Sequence, residues 1–552
     1  MEITAIETPH TKPELSLYVY YLAFMAVISG FLFGYDTGIV SCAMLFIPRN
    51  PGMVPMNNFW QELIVSLTPG AAVIGPLFAA PISDKFGRRT VIIFSSLIFT
   101  AGAIVCAVAT TKIILLIGRI LLGTAIGFSS MIVPIYVSEA SPYHLRGSLT
   151  TAFQLMITFG LFAADVLAGV FSYWEPENIG WRLMVGCAMI PSIMQFVGFI
   201  FLPESPRYLY FSGKYDKTEK ILNKIYRNNQ EWVKSVLSNL NIANEREKKI
   251  KDEIKNQSVL LRIFTTPHVL KALFIGCTIQ AFQQLSGVNS IMYYTATIVK
   301  NAGIKDLHQS IWIASAIAAV NFLVTFIPMA TVEKYGRRRL MLISIFCVIM
   351  SLTMLGISFL LIHQESLQST PYTLSEMYSG AKTDVILSGY NRCHHLHWCL
   401  PLTLENPDVS IFGYCSVNHN ETYFFNNSYC KTRFYLLPII FMFTFMISFA
   451  IGYAPLCWVL NSEFYPAWAR STACALSTSI NWTFNLIVSL TFLTLNETAT
   501  RFGAFFVYDG FSVLALCFVF FFVPETKGIT MEEVEKLFIP KKERKQYIAN
   551  KD

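Results

Sequence analysis

The hydrophobic pattern of this chain is a series of long apolar runs separated by short polar segments. An α-helix needs about 20 apolar residues to cross a bilayer, and runs of this kind recur twelve times. They lie near residues 15–45, 60–82, 90–110, 113–136, 148–173, 183–202, 269–300, 309–330, 340–362, 434–460, 472–494 and 502–523. The first run lacks a basic leader and is too long for the apolar part of a signal peptide. The pattern predicts an all-α membrane protein with twelve transmembrane helices.

Basic residues crowd every second loop, beginning with the loop after the second apolar run. The positive-inside rule therefore predicts that these loops and both termini are cytoplasmic, in a multi-pass protein of the cell membrane. The net charge of +7 follows from this topology. The basic residues form no domain with an aromatic platform of the kind that binds nucleic acid, so we expect no nucleic-acid partner.

Three charged motifs occur once in each half of the chain, which indicates an internal duplication. Their members are Asp84, Arg88, Arg89, Glu139, Arg146, Glu204 and Arg207 in the first half, and Glu333, Arg337, Arg338, Glu463, Arg470 and Glu525 in the second. We interpret them as an inner gate, whose acid–base pairs join the two halves when the cytoplasmic side is closed. The alternative is that they only set topology and cap helix ends.

The duplication predicts two pseudo-symmetric six-helix halves, residues 15–202 and 269–523. A cytoplasmic helical linker, 203–268, joins them, and the tails are residues 1–14 and 524–552. Two such halves around a site at the membrane midplane are the architecture of many secondary transporters.

An insert of the second half, residues 363–433, carries the features of an extracellular loop. Its cysteines are Cys393, Cys399, Cys415 and Cys430, which predict two disulfides with three possible connectivities. Glycosylation sequons begin at Asn420 and Asn426, and a third begins at Asn496 in the outer loop before the last helix. The cysteines and histidines of 393–399 also fit zinc, but an oxidising compartment favours disulfides, so no metal site is predicted.

A carboxylate, Asp36, lies inside the first apolar run. An ionised group there costs about 2.5–3.5 kcal/mol on insertion scales, so it needs a partner, and Arg119 in the fourth run is the candidate. If Asp36 gains and loses a proton, this pair couples transport to protons. The alternative is a static buried pair. Asp165 is a second candidate, but we expect it to be exposed near the outer end.

Four segments resemble the signatures of the sugar porter family of the major facilitator superfamily: Asp84–Arg89, Pro203–Arg207, Gln283–Asn289 and Pro524–Gly528. Within that family, the chain is most similar to the proton myo-inositol cotransporters. This similarity rests on Gly34–Gly38, on Trp458–Thr472 and on the long cysteine-bearing loop.

The resemblance implies a substrate cavity lined by Gln154, Gln283, Gln284, Asn289, Asn321, Trp458, Asn481 and Asn485. Amide side chains both donate and accept hydrogen bonds, as the hydroxyls of a polyol do. A tryptophan can cover the apolar face of a ring. The alternative is that the amides only hold membrane helices together.

The predicted function is proton-coupled symport of myo-inositol or a related cyclic polyol by alternating access. The alternatives are a facilitative or proton-coupled hexose transporter and, more distantly, a non-transporting nutrient sensor. No nucleotide-binding loop or catalytic spacing is recognisable, so we expect no enzyme activity and no cofactor besides the driving proton. The expected partners are the small polyol or sugar and the lipid bilayer, with the chain as a monomer.

Overall fold

The computed structural model contains the twelve membrane spans that the sequence predicts. The residues that it describes are 16–142, 146–253, 259–304, 306–377, 399–401, 414–418, 421–425, 433–466, 468–527 and 537–539. Among them, 11 helices are long and apolar enough to cross a membrane. One more candidate span contains Pro267–Asn301, which follows the helix Val259–Thr265 at a bend of 97°. The predicted all-α membrane fold is confirmed.

The first half of the bundle contains spans 1 to 6. These are α1 (Leu17–Ala43), α2 (Asn58–Ala72) with α3 (Gly75–Phe86), α4 (Arg88–Ala107), α5 (Lys112–Ala140), α6 (Arg146–Phe171), and α7 (Trp181–Gly186) with α8 (Met189–Phe201). Short 3-10 turns, Ile47–Arg49 and Pro51–Met53, follow span 1, and a π-helical turn, Pro176–Gly180, opens span 6. The break within span 2 is followed by Pro76, which lacks the N–H that would continue the helical ladder.

The second half contains spans 7 to 12. These are α13 (Pro267–Leu285) with α14 (Val288–Asn301), α15 (Leu307–Val324) with α16 (Phe326–Tyr335), α17 (Arg337–Met377), α18 (Leu436–Ser448) with α19 (Ala454–Glu463), α20 (Arg470–Thr498) and α21 (Arg501–Phe522). A π-helical turn, Phe449–Tyr453, joins α18 to α19.

The segment between spans 6 and 7, which we call the linker, is helical in the described residues. It consists of α9 (Pro206–Phe211), α10 (Tyr215–Ile225), α11 (Gln230–Glu253) and α12 (Val259–Thr265). Leu222 and Trp232 of the linker form a small buried cluster with Val19 of α1. The linker therefore packs against the start of span 1.

The insert between spans 9 and 10 contains three short strands that the sequence analysis did not predict. They are β1 (Cys399–Pro401), β2 (Tyr414–Asn418) and β3 (Glu421–Phe425), in an antiparallel sheet of order β1-β3-β2. The predicted disulfide and glycosylation residues Cys393, Cys430, Asn420 and Asn426 lie outside the described residues. So do the side chains of Cys399 and Cys415.

Spans 1 and 5 approach each other at backbone distance. A Cβ atom added to Gly34 would lie 1.8 Å from the carbonyl oxygen of Ile157, and one added to Gly160 would lie 2.2 Å from that of Phe31. Only glycine permits such an approach, which is the usual role of small residues between membrane helices. This contact fixes the part of α1 that carries Asp36.

The charged motifs of the two halves form the same local structure. Gly87 and Gly336 separate two helices with φ of +92° and +88°, in the left-handed region that glycine tolerates. The Glu204 carboxylate accepts the N–H groups of Arg88 and Arg89, each at 3.0 Å. In the second half, Glu525 accepts the N–H groups of Arg337 at 2.9 Å and Arg338 at 3.1 Å. An acid thus caps the first turn of the next helix in each half.

A second acid–base contact is repeated at the same places. Arg88 Nε lies 3.2 Å from Glu139 Oε2, and Arg337 Nη2 lies 3.5 Å from Glu463 Oε1. A hydroxyl beside each capping acid completes the motif, since Ser205 donates to Glu139 at 2.5 Å and Thr526 donates to Glu463 at 2.6 Å. These contacts lie within one half, so an ion pair that joins the halves stays a prediction. We call this end of the bundle the basic end.

The remaining members of the motifs have separate positions. Asp84 lies 3.2 Å from Arg88, and Arg89 donates to the carbonyl of Phe199 at 2.9 Å. Arg207 is exposed over the ring of Phe211, and Arg470 donates to the carbonyl of Tyr465 at 3.1 Å. The side chains of Arg146 and Glu333 lie outside the described residues.

Candidate functional site

A buried ion pair connects spans 1 and 4. Arg119 Nη1 on α5 lies 2.5 Å from Asp36 Oδ1 on α1, and each residue is 3% exposed. Arg119 Nε also donates to the carbonyl of Ile64 on α2 at 3.1 Å. The predicted partnership of Asp36 and Arg119 is present in the structure, and it holds three spans together.

The contact between the two charges is end-on rather than bidentate. Arg119 Nη2 is buried and has no hydrogen-bond partner among the described residues. The charges of Asp36 and Arg119 are therefore compensated mainly through one short charge-assisted hydrogen bond. Breaking such a pair by removing one partner costs about 3–5 kcal/mol, because the other charge stays buried. A proton on Asp36 would remove the same attraction.

An amide cluster lies between spans 7 and 11, with Asn481 of α20 at its centre. The Nδ2 group of Asn481 lies 2.7 Å from Gln280 Oε1 and 3.0 Å from Gln283 Oε1. Its Oδ1 atom accepts Gln284 Nε2 at 3.0 Å, and Asn289 donates to Gln284 Oε1 at 2.5 Å. Four predicted substrate residues, Gln283, Gln284, Asn289 and Asn481, thus form one hydrogen-bonded group.

Span 7 breaks directly after its two adjacent glutamines, Gln283 and Gln284. The helix α13 ends at Leu285, and Gly287 takes φ of +77° before α14 begins. A Cβ atom at Gly287 would lie 2.4 Å from the Tyr508 ring, so glycine is required there. Irregular backbone at membrane depth is tolerated where other side chains satisfy its polar groups.

A tyrosine lies between the ion pair and the amide cluster. The Tyr293 hydroxyl of α14 lies near the side chain of Thr37, the residue after Asp36. Asn485 Nδ2 lies 3.5 Å from the same hydroxyl, one helical turn beyond Asn481. The Oδ1 atom of Asn485 is buried without a partner among the described residues. The first half therefore contacts the second half beside the cluster.

Three predicted site residues are not joined to this cluster. Gln154 on α6 and Trp458 on α19 are partly buried, and Asn321 on α15 is 4% exposed. No hydrogen bond between described side chains connects them to Asn481 or its partners. Their role in a cavity stays a prediction.

The structure adds three residues that the sequence analysis missed. Gln280 is fully buried and reaches Asn481, and the four-residue spacing between Gln280 and Gln284 was the available signal. Tyr293 carries the contact with Thr37 described above. Trp482 is 2% exposed, lies 5.2 Å from the Phe33 ring across the halves, and has a buried indole N–H without a described partner.

Two expectations about outer residues are wrong. Asp165 is 5% exposed, and its Oδ1 atom accepts the Cys42 thiol at 3.4 Å, because α6 packs closely against α1. Asn496 does not lie in a loop. It lies in the last turns of α20, and its side-chain oxygen is buried without a described partner.

The comparisons with known proteins agree with this architecture. A family model described as sugar (and other) transporter matches residues 22–378 and 415–538. The chain is 46% identical to the proton myo-inositol cotransporter hmit-1.2 of Caenorhabditis elegans, covering 97% of this chain and 92% of that one. It is 40% identical to the human proton myo-inositol cotransporter, covering 96% of this chain and 83% of that one.

A solved structure shows the same fold. The proton:xylose symporter XylE of Escherichia coli, a major facilitator superfamily protein, superposes with a TM-score of 0.71 at 22% identity. The match covers 95% of this chain and 100% of that one. The matched family model, the identity to the two cotransporters and the repeated charged turns show that the chain belongs to the sugar (and other) transporter family of the major facilitator superfamily.

Proposed function

We propose that this protein is a proton-coupled symporter of myo-inositol or a related cyclic polyol. The observation that carries the proposal is the buried Asp36–Arg119 pair, which lies one residue from a contact between the halves beside the amide cluster. The curated relatives at 40% and 46% identity are named as proton myo-inositol cotransporters. Their names support both the substrate class and the driving ion.

The amide cluster supplies the chemistry for a polyol. Each cyclitol hydroxyl donates and accepts a hydrogen bond, and the amides of Gln280, Gln283, Gln284 and Asn481 do both. In the present structure these groups satisfy one another. A bound polyol replaces those amide–amide bonds with amide–hydroxyl bonds, so no charge has to be buried or exposed when the site fills or empties.

The proton acts at the ion pair. Protonation of Asp36 removes the charge that attracts Arg119, and the guanidinium then retains its bond to the carbonyl of Ile64. Spans 1 and 4 are thereby released from each other. Because Tyr293 contacts Thr37 from span 7, movement of span 1 is transmitted to the second half beside the amides.

Alternating access requires contacts between the halves that close one end at a time. The hydrogen bonds that the structure shows between the halves include Ser41 with the Ala296 N–H at 3.3 Å and Ser172 with His308 Nδ1 at 2.8 Å. Both lie towards the end opposite the basic end. With the basic end in the cytoplasm, this arrangement corresponds to a carrier that is closed on the outer side.

Uptake into proteoliposomes tests the proposal. Labelled myo-inositol and labelled glucose are offered at acidic and at neutral outside pH, with equal internal buffer. We expect acid-stimulated uptake of myo-inositol that unlabelled myo-inositol inhibits better than glucose does. Uptake of glucose in preference to myo-inositol, or equal uptake at both pH values, would contradict the proposal.

A further inference from the structure

A second buried carboxylate, Glu62, lies between the two halves. It is on α2 of the first half and is 2% exposed. Its Oε1 atom accepts the backbone N–H of Thr494 at 2.8 Å, and its Oε2 atom accepts the Thr494 hydroxyl at 2.8 Å. The backbone of Leu493 lies beside this carboxylate. A side chain of span 2 therefore binds the backbone of span 11.

The same turn of span 11 has side-chain partners on its carbonyl groups. Ser290 donates to the carbonyl of Val488 at 3.3 Å, and Tyr294 donates to that of Ser489 at 3.2 Å. The turn from Val488 to Thr494 is thus stabilised from outside its own helix.

Glu62 belongs to a face of α2 that follows span 11. Residues four apart lie on one face of a helix. Asn58, one turn before Glu62, hydrogen-bonds to Glu497. Ser66, one turn after it, is fully buried, and a Cβ atom at Gly70 would lie 3.2 Å from Leu486. This face lies towards the end of the bundle opposite the basic end.

Both hydrogen bonds to Glu62 have the carboxylate as acceptor, which is the bonding of the ionised form. When the halves separate at this end, the carboxylate must leave Thr494. The N–H and the hydroxyl of Thr494 then need water or carbonyl groups of their own helix, because a buried donor without a partner is unfavourable. Opening this end therefore requires new hydrogen-bond partners for Thr494.

We infer that Glu62 is a positioning residue for alternating access. Its ionised carboxylate holds the end opposite the basic end closed by binding Thr494, and it releases Thr494 when this end opens. This role rests on the transport cycle proposed above. It goes beyond that proposal because it assigns a gate contact to a residue outside both the ion pair and the amide cluster.

Thiol labelling of a buried reporter tests the inference. Ser66→Cys places a thiol on the same face of α2, where a water-soluble thiol reagent reaches it only when spans 2 and 11 separate. The labelling rate of residue 66 is measured by peptide mass spectrometry in the purified full chain, without substrate or proton gradient. The chain without Ser66→Cys gives the background from native cysteines.

Glu62→Ala and Glu62→Gln are compared in this reporter chain. We expect each to raise the labelling rate, with about a tenfold increase for Glu62→Ala, as for the loss of a hydrogen bond to a charged group. Glu62→Gln keeps the size of the side chain, so it provides the test if Glu62→Ala does not fold. Asp509→Asn is the matched control, because Asp509 binds the Thr353 hydroxyl at 2.7 Å within the second half alone.

Equal labelling rates in the Glu62 variants and the parent would overturn the inference. An equal increase in Asp509→Asn would also overturn it, since the effect would then be general loosening of the bundle. Because no substrate is present, this outcome is independent of the uptake experiment. A failure of myo-inositol uptake would refute the proposed substrate and leave the role of Glu62 standing.

Discussion

The substitution Asn481→Ala separates substrate binding from helix packing in the amide cluster. Asn481 makes two side-chain bonds through Nδ2 and one through Oδ1. If the side chain binds one or two hydroxyls of the substrate, each bond contributes about 0.5–1.5 kcal/mol. The loss is then about 0.5–3 kcal/mol, which corresponds to an increase in KM of roughly 2- to 150-fold.

The assay is concentration-dependent uptake of labelled myo-inositol, normalised to the amount of protein in the membrane, together with thermal unfolding in detergent. Gln195→Ala is the matched control. Gln195 is as buried as Asn481, and its Nε2 group donates to Ser29 at 2.7 Å and to the carbonyl of Met25 at 3.2 Å within the first half. We expect it to lower the unfolding temperature and to leave KM unchanged.

A role of Asn481 in substrate binding is refuted if the two variants behave alike. Should Asn481→Ala lower stability as Gln195→Ala does and leave KM unchanged, the amides of spans 7 and 11 only hold helices together. Hydrogen bonds of that kind between membrane helices average about 0.6 kcal/mol. The alternative interpretation of these residues would then be correct.

Three further substitutions have defined outcomes. Gly34→Ala places a methyl group 1.8 Å from the carbonyl of Ile157, so we expect a large loss of folded protein in size-exclusion chromatography, whereas Gly510→Ala, with open space around it, should behave as the parent. Burial raises the pKa of the Glu204 carboxyl above its usual value, against the effect of the backbone N–H groups that it accepts. The folded state therefore retains this proton to a higher pH than the unfolded state does. As the pH rises from the pKa of this carboxyl in the unfolded chain to its pKa in the folded chain, the parent should lose thermal stability relative to Glu204→Gln. Asn496→Gln should leave electrophoretic mobility unchanged before and after glycosidase treatment, because this sequon lies in a helix; a mobility shift would contradict the placement.

The sequence predicted those parts of the fold that depend on periodicity and charge. The twelve apolar runs predicted the spans, because a chain segment inside the bilayer must satisfy its backbone hydrogen bonds within a helix. The paired motifs gave the two halves, and the matching turns at Gly87 and Gly336 show the physical reason. The same residue types are needed wherever an acid caps a helix that starts directly after a left-handed glycine.

The sequence predicted the ion pair for a similar reason. A carboxylate and a guanidinium at membrane depth each require a partner, and Asp36 and Arg119 were the natural pair. Asp165 shows where this reasoning fails. Its position in the run near the outer end suggested exposure, but α6 packs closely against α1 there, and the Asp165 carboxylate accepts the Cys42 thiol. This burial depends on packing between helices that are far apart in the sequence, which a single sequence does not show.

The amide cluster was predicted only in part. Gln280 was missed because a glutamine in an apolar run has the same appearance whether it binds a ligand or another helix. Tyr293 and Glu62 were missed because their partners, Thr37 and Thr494, lie in the other half of the chain. Such contacts are set by the way in which spans 1 and 2 pack against spans 7 and 11.

Proton-driven accumulation by Asp36→Asn decides whether Asp36 is the proton site. Proteoliposomes with an inward proton gradient are given labelled myo-inositol, and accumulation above equilibrium is compared with exchange of labelled for unlabelled substrate without a gradient. We expect Asp36→Asn to abolish accumulation and to retain exchange, since the amide cluster is intact and only the proton site is lost. Accumulation by Asp36→Asn at the level of the parent would refute the role of Asp36 in proton coupling and would make the Asp36–Arg119 pair a structural contact.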